Sequence, residues 1–249
     1  MTQSSITSPP AMPLQPSITP LPSMTTQPSI ATQPSIAIGV AGTTLHLLAA
    51  KALYWPEAKM LCVADAHFGK AAAYRALGQP VPGGTTAANL ARLDAMLAAH
   101  DVSRLVFLGD LFHARKSLTE AVIGTMTEWR ERHRALDCLL ISGNHDRRAG
   151  TLPTSLAIET VAEPHCVGPL ALCHAPTVHP GHHVLAGHIH PVYELKGAAR
   201  QRLRLPCFVV DPHGTLLPSF GDFTGGYQMA PAASKGVFVT DGTSIWRAQ

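Results

Sequence analysis

CLLISGNHDR, Cys138 to Arg147, decides how the chain is read. Four apolar residues run into it, as for a strand buried on both faces, and then Asn144, His145 and Asp146 arrive together. A turn accounts for Gly143 and Asn144, which tolerate unusual backbone angles. It does not account for a His and an Asp, side chains that bind metals or move protons. The same ending recurs along the chain. LCVADAH closes on Asp65 and His67, LVFLGD on Asp110, LALCH on His174, and VLAGHIH on His188 and His190. In an open α/β sheet, ligands bind outside the carboxyl ends of the strands, so the five endings are expected to meet on one rim.

The residues between these endings set the fold class. TTLHLL, KALYW and KMLCVAD read as strands joined by short turns. Residues 85–99 place Leu90, Leu93, Met96 and Leu97 on one helical face, with Thr85 or Thr86 as N-cap. RLVFLGD is a buried strand. Ser117 with Glu120 reads as a capping box, opening a helix with Val122, Ile123, Met126 and Trp129 on its apolar face. After Gly150 the chain turns to short strands: SLAIET, GPLALCH, HHVLAGH, RLRLPCFVVD, GVFVTDG and TSIWRA. A βαβαβ half followed by a mostly β half predicts one α/β domain with two sheets, because both halves supply polar strand ends.

Residues 1–36 form a separate segment. They repeat QPSI-type units, carry no charged residue and hold proline every few positions. They are expected to be a disordered Pro/Ser/Thr-rich tail ahead of a folded domain at 37–249. The formal charge of +3 is only mildly basic and does not by itself imply a nucleic-acid partner. Fourteen histidines against sixteen carboxylates point to metals or proton transfer. Cys62, Cys138, Cys166, Cys173 and Cys207 form no CxxC pair; they read as reduced, buried thiols of a cytoplasmic protein. No apolar run approaches the roughly 18 residues of a membrane span, and no membrane partner is expected.

Carboxylate, amide oxygen and imidazole together suit borderline cations, Mn2+ first, with Fe or Zn2+ as alternatives, over Mg2+ or Ca2+. A shared Asp can bridge two ions about 3.5–4 Å apart. In D-x-H and H-x-H, an extended backbone would aim both side chains to one side. Asp211-Pro212-His213 and Gly221-Asp222 repeat parts of the pattern but read as loop residues. His113 and the HPGHH group of His179, His182 and His183 read as ordinary surface or turn histidines.

DAH, GD, GNHD, H and GHIH, in that order between Asp65 and His190, make the chain resemble the calcineurin-like metallophosphoesterases. VADAHFGKAAAYRALGQPVP, LGDLFHARKS, LAGHIHP, RLPCFVVDP and LPSFGDFTGG narrow the resemblance to the bacterial ligase-associated DNA damage response endonucleases (PdeM-type). It covers nearly everything after residue 43; Phe68 departs from it mildly, where an aliphatic residue is expected. The resemblance implies a four-layer α/β sandwich of two mixed sheets flanked by helices. It implies two divalent metal ions, one on Asp65, His67 and His190, the other on Asn144, His174 and His188, bridged by Asp110. It makes His145 the general acid, with Asp146 either orienting it or capping a turn. It also implies a ligase and a helicase as partners.

Basic residues follow four of the five ligand endings: Lys70 and Arg75, Arg115 and Lys116, Arg147 and Arg148, then Lys196, Arg200, Arg202 and Arg204. Lys70, Arg75, Arg115 and Arg147 are the candidates for substrate contact. A basic rim suits a polyanion; with the complete ligand set and the resemblance to the ligase-associated endonucleases, the expected activity is phosphodiester hydrolysis in DNA. A small-molecule phosphatase or nucleotide pyrophosphatase is the alternative, and a non-catalytic scaffold is disfavoured by the complete ligand set.

Overall fold

The computed structural model describes residues 34–81, 83–197, 201–230 and 236–248. Most of the N-terminal segment and Arg200 lie outside them.

Seven strands form the first sheet in chain order: β1 (Ser35–Val40), β2 (Thr43–Leu48), β3 (Ala52–Trp55), β4 (Met60–Ala64), β5 (Arg104–Leu108), β6 (Asp137–Ile141) and β7 (Glu159–Val161). The first three steps are antiparallel and those from β4 to β7 parallel. β1 starts at Ser35, inside the last TQPSIA repeat and two residues ahead of the expected boundary. Helices α1 (Lys70–Ala76), α2 (Thr85–Ala99), α3 (Glu120–Arg132) and α4 (Asn144–Ala149) interleave with β4–β7.

The second sheet is built from β8 (His165–Val167), β9 (Leu170–Leu172), β10 (His183–Ala186), β11 (Pro191–Lys196), β12 (Arg202–Val210), β13 (Gly214–Leu216), β14 (Tyr227–Gln228), β15 (Gly236–Thr240) and β16 (Ile245–Arg247). Its main path runs β14-β11-β12-β13-β10-β9-β8, with β15 joining β12 to β16. β9, β10 and β13 are parallel neighbours.

Strand alternation sorts the apolar runs into two cores. Leu61, Val63, Leu105, Phe107 and Leu140 face the helices, meeting Leu90, Leu93 and Met96 of α2 and Val122, Met126 and Trp129 of α3. Their alternates Cys62, Ala64, Val106, Leu108 and Ile141 face Leu170, Leu172, Leu185 and Phe208 of the second sheet. This two-sided burial is why β4–β6 read as continuous apolar runs. The result is the expected α/β sandwich of two mixed sheets. Among the described residues no helix follows Leu156, so the helices pack on the outer face of the first sheet.

Two caps differ from expectation. α2 starts after Gly84 in a left-handed conformation, with no side-chain cap bond; Thr86 instead accepts from the Gly69 amide at 3.3 Å. Thr119, not Ser117, caps α3, its hydroxyl accepting from Val122 N at 3.3 Å. Ser117 is the buried residue of a 3-10 turn, Arg115–Ser117, and Gly69 packs against it. The GNHD stretch, expected as a turn, itself opens α4.

Candidate active site

Every sequence-predicted ligand lies just past the carboxyl end of a parallel strand. Asp65 and His67 follow β4, Asp110 follows β5, Asn144 follows β6, His174 follows β9, and His188 and His190 follow β10. The mode of convergence differs from the expected extended one. Asp65, His67, Asp110, His188 and His190 all have positive φ, between 45° and 69°. Asp and His enter this region more readily than most residues, at roughly 1–2 kcal/mol each. The chain turns sharply inward at each strand end, and such strain collects at functional sites. Hydrogen bonds hold these turns: His67 N to Asp110 O at 2.9 Å, Gly221 N to Asp65 O at 3.1 Å, and the Ser219 hydroxyl to Asp65 O at 2.9 Å.

Two groups of donor atoms result, Asp65–His67–His190 and Asp110–His174–His188, each with its ligand atoms within 4.8 Å of one another. In the first, the Nε2 atoms of His67 and His190 stand 3.4 Å apart, and Asp65 Oδ1 lies 3.5 Å from His190 Nε2. In the second, His174 Nε2 is 2.9 Å from His188 Nδ1, 2.9 Å from Asn144 Oδ1 and 3.5 Å from Asp110 Oδ1. Asp110 Oδ2 is 3.9 Å from His67 Nε2, so Asp110 stands between the groups.

These residues fit cations. Asp65 is fully buried, and its Oδ1 accepts no hydrogen bond among the described residues, nor is His67 Nδ1 partnered. An unpaired buried carboxylate oxygen is costly unless a cation or donor meets it. His67 is pushed down to about 2 by burial and by the Lys70, His190, His145 and His113 charges, so it is neutral and one ring nitrogen offers a lone pair. Burial opposes protonation of His190, but the Asp65 carboxylate and the Thr224 carbonyl outweigh it and raise its pKa. Outer contacts orient the rings: His190 Nδ1 faces Thr224 O at 3.0 Å and His174 Nδ1 faces Leu108 O at 3.1 Å, turning each Nε2 inward. Glu163 accepts from the amides of His174 and Ala175, fixing that loop.

His145 lies at the edge of the site, its Nδ1 donating to His113 O at 2.6 Å and its Nε2 3.9 Å from Asp110 Oδ2. Asp146 does not orient that ring. Its carboxylate accepts from the backbone amides of Leu111 at 2.9 Å and Gly143 at 3.0 Å, clamping the Asp110 loop to the start of α4. His113, expected to be an ordinary turn histidine, stacks on His145 with centroids 5.2 Å apart and meets His67 edge-on. Its position three residues past Asp110 was the signal. Of the basic candidates, buried Lys70 comes closest to the ligands, its charge acting on His67, Asp110 and Asp65. Arg75 and Arg147 reach the backbone carbonyls of Val81 and Ser142, and Arg115 is exposed on its 3-10 turn.

The motif glycines permit close approach between strands. A Cβ on Gly109, at φ +78°, would lie 2.1 Å from His174 Nδ1. A Cβ on Gly143 would lie 2.4 Å from Asp110 Oδ1. Gly109→Ala must therefore displace the His174 ring that the Leu108 carbonyl orients. Mn2+ affinity is expected to fall about 10–100-fold, the usual cost of losing an orienting contact, as titration calorimetry would read it. Unchanged affinity would mean that His174 is no ligand.

Asp211 and Asp222 are the loop residues expected. Asp211 caps its own turn through His213 N and Gly214 N. Asp222 pairs with Lys51 and Arg92, each at 3.7 Å, and so anchors the loop whose Thr224 carbonyl holds His190. Burial, helped by the Arg92 charge and opposed by Asp222, pushes Lys51 down to about 8. The unfolded chain keeps a lysine near 10.4, so between these values it binds a proton the folded protein has released. Stability therefore rises with pH across that window, and the penalty is fully present below about 8. From pH 8 to 10 the wild type should gain on the order of 2 kcal/mol relative to Lys51→Met. Parallel thermal-melt profiles for the two proteins would count against this.

A two-sheet α/β fold with imidazoles and carboxylates gathered beyond its parallel strands defines a protein with a candidate two-metal centre. No protein-family model matches the chain, and no curated protein matches it. A solved structure does. The crystal structure of Pseudomonas putida nuclease MPE aligns with a TM-score of 0.76 and 46% sequence identity, covering 86% of this chain and 99% of that one. The chain belongs to the family of that Pseudomonas protein. Among the described residues, no helix is long and apolar enough to cross a membrane.

Proposed function

We propose that this protein is a metal-dependent phosphodiesterase of the calcineurin-like metallophosphoesterase class, cutting DNA as an endonuclease in the damage response. The observation that carries the reading is the pair of donor groups flanking Asp110, with His145 at their edge. The 46% identity to a nuclease supports it. Asp65, His67 and His190 would hold one divalent cation, and Asn144, His174 and His188 the other, with Asp110 shared. The mixed oxygen and nitrogen donors favour Mn2+, Fe or Zn2+. Bound cations supply Lewis acidity toward the phosphoryl oxygens and make water a stronger nucleophile.

The chain's own side chains do the rest. Water attacks phosphorus and releases a proton to solvent as the bond to the leaving oxygen breaks; His145, entering the step as the imidazolium, gives that oxygen its Nε2 proton and is left neutral with its proton on Nδ1. The His113 carbonyl keeps the His145 proton of Nδ1 in place, so Nε2 is the atom that faces the reaction. Lys70 adds a buried positive charge that offsets the phosphodiester's own. Asp146 is a positioning residue, acting through the amides of Leu111 and Gly143.

A polymer is favoured over a small nucleotide by the strands that leave the site. β11 starts directly after His190 and pairs with β12; Lys196, Arg202 and Arg204 line a groove of about 810 Å3 along this hairpin with Tyr193 and Gln228. Glu194 also lines it and pairs with Arg202 at 3.1 Å, but Lys196 and Arg204 leave the lining net basic, which suits a phosphate backbone. Resemblance to the ligase-associated enzymes supports a repair role beside a ligase and a helicase, and the free thiols suit the cytoplasm.

The test is cleavage of end-labelled single-stranded and duplex DNA by Mn2+-loaded protein, with Asn144→Ala beside it. Cleavage that disappears in the variant supports the reading. Intact DNA alongside turnover of bis-nitrophenyl phosphate would move the substrate to small diesters. Faster turnover of the mono-nitrophenyl ester would make the protein a phosphatase.

A further inference from the structure

A second set of metal-ligating side chains lies away from the active site. Cys166, expected to be buried like the other thiols, is exposed on β8, whereas Cys62, Cys138, Cys173 and Cys207 are buried. Its ligand atom and those of His179 and His182 lie within 4.8 Å of one another. We propose that Cys166, His179 and His182 form a separate Zn2+ site that clips the edge of the second sheet.

The local backbone builds the site. His179-Pro180-Gly181-His182 is a tight turn closed by His182 N donating to His179 O at 3.2 Å, with Gly181 at φ +79°. Proline at the second position and a left-handed glycine at the third are the residues a type II turn requires. This holds the two imidazoles edge to face, centroids 5.0 Å apart, with their Nδ1 atoms 3.2 Å apart. Two nitrogens about 2.0–2.1 Å from one tetrahedral Zn2+ stand roughly 3.3 Å apart. The Pro180 carbonyl lies 3.3 Å from the same His182 nitrogen. Without metal, a proton on that nitrogen serves the neighbouring acceptors; a cation takes its place between the rings.

Sheet pairing brings in the third ligand. Cys166 lies opposite Ala171 of β9, and β9 pairs on its other side with β10, which begins directly after His182. Cys166 is thus delivered from the edge strand toward the turn. Binding replaces the thiol proton: Cys–SH releases H+ and the thiolate bonds to Zn2+, with two neutral imidazoles completing three protein ligands. A thiolate selects Zn2+ over Mn2+, which separates this site from the oxygen-containing one.

The site is distant from catalysis. His174 and His188 lie at the carboxyl ends of β9 and β10, while His182 precedes β10. The six residues from His182 to His188 span roughly 20 Å of extended chain at about 3.3 Å per residue. The ion's role is structural. It ties edge strand β8, which pairs on one side only, to the β9–β10 connection. The segment just before β8 carries Glu163, which holds the His174 loop.

Full-length protein, reduced and preloaded with excess Mn2+, is titrated with Co2+ as a spectroscopic stand-in for Zn2+. One equivalent should produce a thiolate-to-cobalt charge-transfer band, absent in Cys166→Ala and at least tenfold weaker in His182→Ala. Metal analysis after Zn2+ loading should find one more equivalent in wild type than in Cys166→Ala, and Zn2+ should raise the melting temperature of the wild type by more than that of the variant. DNA cleavage should be equal in both. No band, or a band unchanged in His182→Ala, would overturn the proposal, the second result showing thiol binding without a built site. Equal Zn2+ content in the two proteins would overturn it as well.

Discussion

Asp110→Asn should reduce DNA cleavage about 10⁴-fold or more, since several kcal/mol of charge stabilisation pass through metals that this residue would share. Asp110 is buried, and one oxygen accepts the His145 amide at 2.9 Å while lying 3.5 Å from His174 Nε2. The other oxygen lies 3.9 Å from both His67 Nε2 and His145 Nε2. Asparagine keeps the volume and one acceptor but removes the negative charge and aims a donor at imidazole lone pairs. Mn2+ content should fall below two ions per chain while the fold persists, because the β5 strand leading to Asp110 packs through Leu105, Val106, Phe107 and Leu108. A variant that kept two ions and a tenth of the wild-type rate would show that Asp110 is not shared.

His145→Ala should behave differently. Cleavage of DNA should drop about 10²–10⁴-fold, the range for a general acid, with Mn2+ content unchanged, because His145 belongs to neither donor group. The effect should depend on the leaving oxygen. A deoxyribose oxygen needs a proton as it departs, whereas a nitrophenolate leaves without one. The same variant should therefore lose less than about tenfold on bis-nitrophenyl phosphate, where the general-acid contribution is small. Equal losses on both substrates would make His145 a structural or binding residue.

The sheet and its ligands are legible from the sequence because both follow from short-range periodicity. TTLHLL is β2 residue for residue, and the apolar runs before Asp65, Asp110 and Asn144 are the three parallel strands that end at the site. The caps were less legible. Ser117 and Thr85 carry the right chemistry, but Gly69 packs against Ser117 and the left-handed Gly84 precedes α2, so the N-cap positions fall to Thr119 and Gly84 while α2 keeps its expected span of 85–99. β14 is only two residues long and joins β11 from far along the chain, which no local pattern announces.

The amino-acid sequence by itself determined the strands β2 to β6, the identity of seven candidate ligands and their place at strand ends, because side-chain type and two-residue alternation are local properties. Tertiary structure decided how those ligands meet. Left-handed backbone at five of them exists only because hydrogen bonds from other strands stabilise it, as from His67 N to Asp110 O. Asp146 became a backbone clamp, His113 a neighbour of His145, and Asp222 the anchor of the loop behind His190. Cys166 came within reach of His179 and His182 through the pairing of β8, β9 and β10. Each of these depends on distances between residues remote in the chain, which are set by how two sheets pack rather than by any residue's own preference.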